Sequence, residues 1–100
     1  MTKHFHNNIE GWFTWPRLYC DMVARFPSGS SFIEVGVYKG SSLSHLIVEM
    51  INSGKHFSIT AIDSFVEQDS SIKILYSNLS EYKDKFKVII GDSTDTAMYF

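Results

Sequence analysis

Three stretches of this 100-residue chain carry the residues that could do chemistry, and each pairs a carboxylate with a tight-turn residue or a small hydroxyl. The first is Phe32–Ser42, which reads Phe-Ile-Glu-Val-Gly-Val-Tyr-Lys-Gly-Ser-Ser. The others are Ile62-Asp63-Ser64 and Gly91-Asp92-Ser93. Glu34 is a carboxylate in an apolar run, and such a group is costly to bury without partners. Gly36 permits a turn that a side chain would block, and Gly40 permits close approach of backbone to a ligand. Ser41 and Ser42 open a helical pattern, and either is a good N-cap. Strand, glycine turn and helix N-terminus together bring bare backbone close to a small polar ligand.

Spacing narrows the ligand. A phosphate-binding P-loop needs Lys and then Ser or Thr directly after its second glycine, whereas Lys39 precedes Gly40. The dinucleotide fingerprint needs three glycines as G-x-G-x-x-G, and Tyr38 stands at the middle position. A pyrophosphate is therefore a poor candidate. A cationic ligand with a nucleoside end fits better, because Glu34 would repel phosphate. Asp63 falls just past a second apolar run, the place where nucleotide-binding α/β folds grip ribose hydroxyls.

The elements that must position these residues are legible from periodicity. Residues 1–15 read as a polar arm that becomes aromatic at Trp12, Phe13 and Trp15, either a latch packed on the domain or a lid over a pocket. Pro16 suits a helix's first turn after a Thr14 or Trp15 cap. Leu18, Met22, Val23 and Phe26 give that leading helix, 16–27, one apolar face. A first strand spans about Ser31–Val35. Leu43, Leu46, Ile47, Met50 and Ile51 mark an amphipathic helix ended by Gly54, with His45 and Glu49 on its other, solvent-facing side. Phe57–Ile62 reads as a second strand and Ser64–Asp69 as a loop. Ile72, Leu75, Tyr76, Leu79 and Tyr82 trace a crossover helix, and Phe86–Ile90 a third strand. Ser93 or Thr94 can cap a further helix. The expected architecture is α/β: a Rossmann-like parallel sheet with flanking helices, about three βα units, right-handed crossovers and strand order 3-2-1. Its carboxyl edge would collect Glu34, Gly36, Asp63 and Asp92.

Composition excludes several other classes. The length allows at most one domain. The net charge of −2 gives no general nucleic-acid surface, and Lys83, Lys85 and Lys87 alternate with acids as a solvated face would. A single cysteine, Cys20, excludes an internal disulfide, suits a cytoplasmic location and sits in an apolar helical pattern. No apolar run is long enough to span a membrane, and no signal-peptide pattern is present. His4 and His6 are two residues apart with no further ligand candidates beside them in sequence, so no metal is expected.

Glu34-x-Gly36-x-x-x-Gly40-x-Ser42 resembles the first motif of class I S-adenosylmethionine-dependent methyltransferases. It is nearest the branch whose motif runs "(F/V)-V-E-(I/V)-G-x-(Y/W)-x-G-x-S", which includes catechol O-methyltransferase-like enzymes and small bacterial and phage-type methyltransferases. Glu10-Gly11-Trp12-Phe13, Leu18-Tyr19 and Pro27-x-Gly29-Ser30 precede the motif as they do in that group. Ile62-Asp63-Ser64 and Gly91-Asp92-Ser93 follow in the same order. The resemblance covers nearly the whole chain but only the N-terminal half of such an enzyme. It implies S-adenosylmethionine as cofactor. Gly36, Val37 and Tyr38 would line its methionine part, and Glu34 would support the turn and the amino group. Ser41 or Ser42 would meet the carboxylate, Asp63 both ribose hydroxyls, and Asp92 with Ser93 the adenine. Tyr38 departs from the wider superfamily, which has a second glycine there, although this branch accepts an aromatic residue.

The resemblance further implies a fourth strand beside the first, beyond Phe100. Without it the first strand is an apolar open edge prone to self-association, and a truncated domain or a fragment that pairs with another chain is expected. Three functions compete: a methyltransferase with an unidentified acceptor, a non-catalytic nucleoside-binding module acting through a partner, and a nicotinamide-dependent oxidoreductase. The last is disfavoured by the missing third glycine.

Overall fold

The structure is a computed structural model that describes residues 1–11, 13–63 and 71–91. A three-stranded parallel sheet is its framework. Strand β1 (Ser31–Val35) pairs with β2 (Ser58–Asp63), and β2 with β3 (Lys87–Ile90). The order is β1-β2-β3, with β2 central, which is the expected 3-2-1 arrangement read from the other edge. Register sets Ser31 opposite Ser58 and Val35 opposite Ile62, and Asp63 opposite Ile90. All three strands therefore finish at one edge, and the Gly36 N–H extends the ladder by donating to Ile62 O at 2.8 Å.

Three helices accompany the strands: α1 (Pro16–Arg25), α2 (Ser41–Ser53) and α3 (Ser71–Asn78). Short 3₁₀ turns lie at His6–Asn8 and Ser80–Lys85. Pro16 occupies the first turn of α1 as expected, but Trp15 caps it without a side-chain hydrogen bond. The stop of α2 is Gly54, at φ +74°, with its N–H on Ile51 O. A left-handed residue that closes the last turn is glycine's usual role at a helix end.

One hydrophobic core joins Phe32, Ile59 and Ala61 of the sheet to Leu43, Leu46, Ile47 and Met50 of α2. Val23 of α1, Leu75 of α3 and Leu79 just after it also belong to it. Burying such a run of branched and aromatic side chains is the main favourable term for a chain of this size. The α1 stripe is narrower than the sequence suggests. Val23 is buried and Tyr19 and Met22 pack on the core, whereas Leu18 and Phe26 are about half exposed.

The larger departure concerns α2. Its periodicity predicts a polar, solvent-facing side, yet Ser44, His45 and Val48 are all buried. The cover is the chain's own N-terminus. Thr2 and Asn52 exchange two hydrogen bonds of 2.8 and 2.9 Å, His4 reaches Glu49 at 3.2 Å, and Ser41 Oγ donates to His6 O at 3.0 Å. The helix is thus held between the sheet on one side and the arm with α1 on the other. Lys55 fastens α1 from below, its Nζ donating to the carbonyls of Val23, Ala24 and Phe26 at 2.7–3.0 Å. A cation among the free carbonyls of a helix end is favourable both as a hydrogen-bond donor and against the helix dipole.

Candidate functional site at the carboxyl edge of the sheet

The loop from Gly36 to Gly40 links β1 to α2 and carries most of the candidate residues. Gly36 (φ +78°), Tyr38 (φ +51°) and Gly40 (φ +97°) all lie in the left-handed region. For tyrosine this is a strained choice, and the structure supplies what holds it. The Tyr38 N–H donates to Asp63 Oδ2 at 2.9 Å, and Gly40 N–H donates to Val37 O at 2.9 Å. Lys39 pairs with Glu10 of the arm, and Asn78 Nδ2 donates to Lys39 O at 3.0 Å.

The two glycines do different work. A side chain built on Gly36 would meet no atom within 4 Å, so the space over this bend is open. A side chain on Gly40 would meet Leu75 Cδ1 at 2.6 Å and Leu79 Cδ1 at 3.0 Å. The close approach expected at Gly40 is therefore to the crossover helix that follows β2, not to a ligand. Gly40 is also the residue that caps α2, in place of the expected Ser41 or Ser42, and it does so without a side chain.

Both serines are engaged elsewhere. Ser41 binds the arm at His6 O, and Ser42 Oγ donates to Glu34 Oε1. Tyr19 of α1 donates to the same carboxylate oxygen at 2.6 Å. Glu34 thus ties β1, α1 and the start of α2 together, the kind of partnership a buried carboxylate demands. Burial nevertheless raises its pKa above the ordinary carboxylate value, against the lowering effect of the Ser42 and Tyr19 bonds. Burial, followed by the Glu34 carboxylate itself, pushes the Tyr19 phenol well above its usual range. The second carboxylate oxygen, Oε2, is buried and has no partner. An acceptor in that state is expensive to leave unmatched and is suited to a donor brought in by a ligand.

The structure gathers Glu34, Gly36, Tyr38 and Asp63 around one bend. Val37 is 2% exposed and its side chain belongs to the core, so only its backbone faces the loop. Asp92 and Ser93 lie outside the described residues, as do Trp12 and the Ser64–Asp69 stretch.

Sequence reasoning missed the contribution of Tyr19, whose place in an apolar helical pattern gives no sign of a polar task. It also placed His45 on a solvent-facing surface, whereas that residue is 4% exposed. His45 stacks on His4, with ring centroids 4.2 Å apart, and meets His6 edge-on at 4.8 Å. Further ligand-type groups thus do cluster with His4 and His6, through a residue some forty positions away. Burial, with His4 and His6 adding to it, pushes the His45 imidazole down to about 4. Phe13 packs edge-on against Tyr19 and His45 at 4.9 and 5.0 Å, as a latch would, while Trp15 is exposed.

No family model matches the sequence, and no curated protein matches it. Solved structures do. A Staphylococcus aureus protein assigned as a caffeoyl-CoA O-methyltransferase superposes with a TM-score of 0.67 at 14% identity, over 93% of this chain and 42% of that one. A Methanococcus maripaludis protein assigned as an S-adenosyl-L-methionine-dependent methyltransferase gives 0.54 at 21% identity, over 78% of this chain and 33% of that one. This chain therefore spans less than half the length of either structure. Across the part it spans, it shares their parallel α/β fold.

Proposed function

We propose that this chain binds S-adenosylmethionine and forms the cofactor-holding half of a methyltransferase. One observation carries the reading: Glu34 and Asp63, from the ends of neighbouring strands, flank the same open glycine bend. The residues present fit such a cofactor. The bare space over Gly36 leaves room for it, and the buried, unmatched Oε2 of Glu34 offers an acceptor to its amino group. Asp63 would bind the ribose hydroxyls, and the backbone of Gly36, Val37 and Tyr38 would line the methionine part. Asp92 and Ser93 would extend the same edge toward the base. The start of α2, with Ser41 and Ser42, would favour the carboxylate through the exposed ends of its peptide dipoles.

When bound, the cofactor supplies a methyl group already activated by its sulfonium. The chain's own work is then to orient that group and to exclude water from it. Glu34 suits the task because it fixes three elements against one another and keeps an unmatched acceptor, Oε2, for a donor on the ligand. A cytoplasmic site of action agrees with this chemistry, and no helix among the described residues is long and apolar enough to cross a membrane.

A second reading is a binding module that acts through a partner chain. It would use the same open bend over Gly36 and the same unmatched Glu34 Oε2.

Calorimetry of the chain with S-adenosylhomocysteine and with NAD tests the proposal. Saturable binding of the first and none of the second is expected. Preference for NAD would return the oxidoreductase to first place. A strand ending in an acidic motif, encoded in frame after residue 100, would favour the enzyme over the module.

A further inference from the structure

The second cluster of chemistry-bearing groups lies under the N-terminal arm, separated from Glu34 by Tyr19, whose ring centroid is 6.3 Å from that of His45. One ring nitrogen from each of His4, His6 and His45 lies within 4.8 Å of the others. His45 also belongs to a second such group, with the Cys20 thiol and the Glu49 carboxylate. Glu49 already accepts from His4 Nε2 at 3.2 Å. We propose that His4, His6 and His45 form a binding site for a zinc-type divalent cation, with Glu49 beside it as fourth ligand, which clamps the arm onto α2.

Two observations point to a ligand rather than to ring packing alone. Nδ1 of His6 and Nδ1 of His45 are both buried without a hydrogen-bond partner. Two unmatched ring nitrogens beside a third imidazole are a costly arrangement for an apolar interface and an ordinary one for a metal site. The donor set also selects the ion. Three imidazoles and one carboxylate suit zinc and its late-transition neighbours, whereas magnesium and calcium prefer all-oxygen sites.

The geometry is within reach. A tetrahedral zinc with Zn–N bonds of about 2.0–2.1 Å needs its nitrogens about 3.4 Å apart, and since those of the three rings lie within 4.8 Å of one another, no pair must close by more than roughly 1.4 Å. His45 is anchored in α2, and His6 sits on a single 3₁₀ turn. His4 lies flat on His45, with the ring planes 12° apart, and must swing so that its nitrogen meets the shared ion. Its side chain is 31% exposed, which leaves space for that rotation.

The test uses the full chain after dialysis against a chelator. Calorimetric titration with zinc chloride should show one equivalent bound and a raised melting temperature, with no response to magnesium chloride. Cobalt(II) in place of zinc should give the visible absorption of a tetrahedral site. His4→Ala and His6→Ala change the arm and leave buried His45 in place. Each should weaken zinc binding by at least about tenfold, the scale on which even residues that only support a metal site act. His56→Ala, at the far end of the sheet, should bind as the unaltered chain does. Absence of saturable zinc binding below about 1 mM, a free energy of only about 4 kcal/mol, would leave aromatic packing alone and overturn the proposal. So would His4→Ala and His6→Ala variants that bind zinc unchanged.

Discussion

Asp63 Oδ2 accepts the backbone N–H of Tyr38 at 2.9 Å, so the last residue of β2 fixes the conformation of the loop that follows β1. The bond separates two roles of this acid that substitution can resolve. Asp63→Asn keeps an oxygen for the Tyr38 amide and should cost less than about 1 kcal/mol in stability. Asp63→Ala strands a part-buried N–H and should cost about 1–3 kcal/mol. Both should weaken S-adenosylhomocysteine binding if the carboxylate grips the ribose. Urea denaturation and calorimetry on the same samples read the two effects, and unchanged affinity in both variants would remove Asp63 from the ligand site.

Gly36 and Gly40 should respond to alanine in opposite ways. Gly40→Ala drives a methyl into Leu75 and Leu79 at a strained φ, and should destabilise the fold by about 2–4 kcal/mol. Gly36→Ala meets no neighbour and should cost only the left-handed backbone penalty, about 1–2 kcal/mol. Its larger effect should be on ligand affinity, because the new methyl enters the open space over the bend. Thermal melts with and without S-adenosylhomocysteine distinguish the two.

Glu34 should imprint a pH dependence on stability. Its folded-state pKa is raised by burial, so the native state holds this proton more tightly than the unfolded chain does. Stability from this group is then greatest below the ordinary carboxylate range and declines as pH rises through the elevated value. Glu34→Gln keeps an acceptor for Tyr19 and Ser42 and should flatten that decline. It should therefore gain on the unaltered chain as pH increases while binding cofactor less well. Denaturation midpoints between pH 4 and pH 8 check the slope, and parallel curves for the two proteins would contradict it.

Lys55→Met should loosen α1, since three carbonyls at its end lose their shared donor. A loss of about 1–2 kcal/mol is expected, read from urea midpoints. Backbone amides of the last turn of α1 should also exchange faster with solvent, and exchange confined to other segments would argue against Lys55 as the fastener.

Strand β1 pairs on one side only among the described residues, and Ile33 and Val35 are 48% and 58% exposed. Such an edge should self-associate. Light scattering across a concentration series should show growth beyond 11.5 kDa, and Val35→Lys should suppress it. A monomer at every concentration would show the edge to be harmless.

Local pattern made β1 and the Gly54 stop of α2 legible from sequence, because each depends on neighbours a few residues apart. The same logic failed where partners come from afar. His45 and Val48 fall on the polar side of α2 by periodicity, and only the arm and α1, packed from well before it in the chain, make that side an interior. Gly40 invited a ligand explanation because nothing near it announces Leu75 and Leu79. At the candidate site, Glu34, Gly36 and Asp63 were legible by residue type and position at strand ends. Tyr19 was not, since its hydroxyl finds Glu34 only once α1 has packed on the sheet.

The pairing of Gly36 N–H with Ile62 O has a consequence for biosynthesis. The bend acquires its native shape only when β2 lies alongside β1, and a parallel partner must first be brought back by way of the intervening helix. A ribosome-bound chain lacking residue 62 therefore has no finished bend, however much of α2 has formed, and the turn can close only after β2 has cleared the exit tunnel.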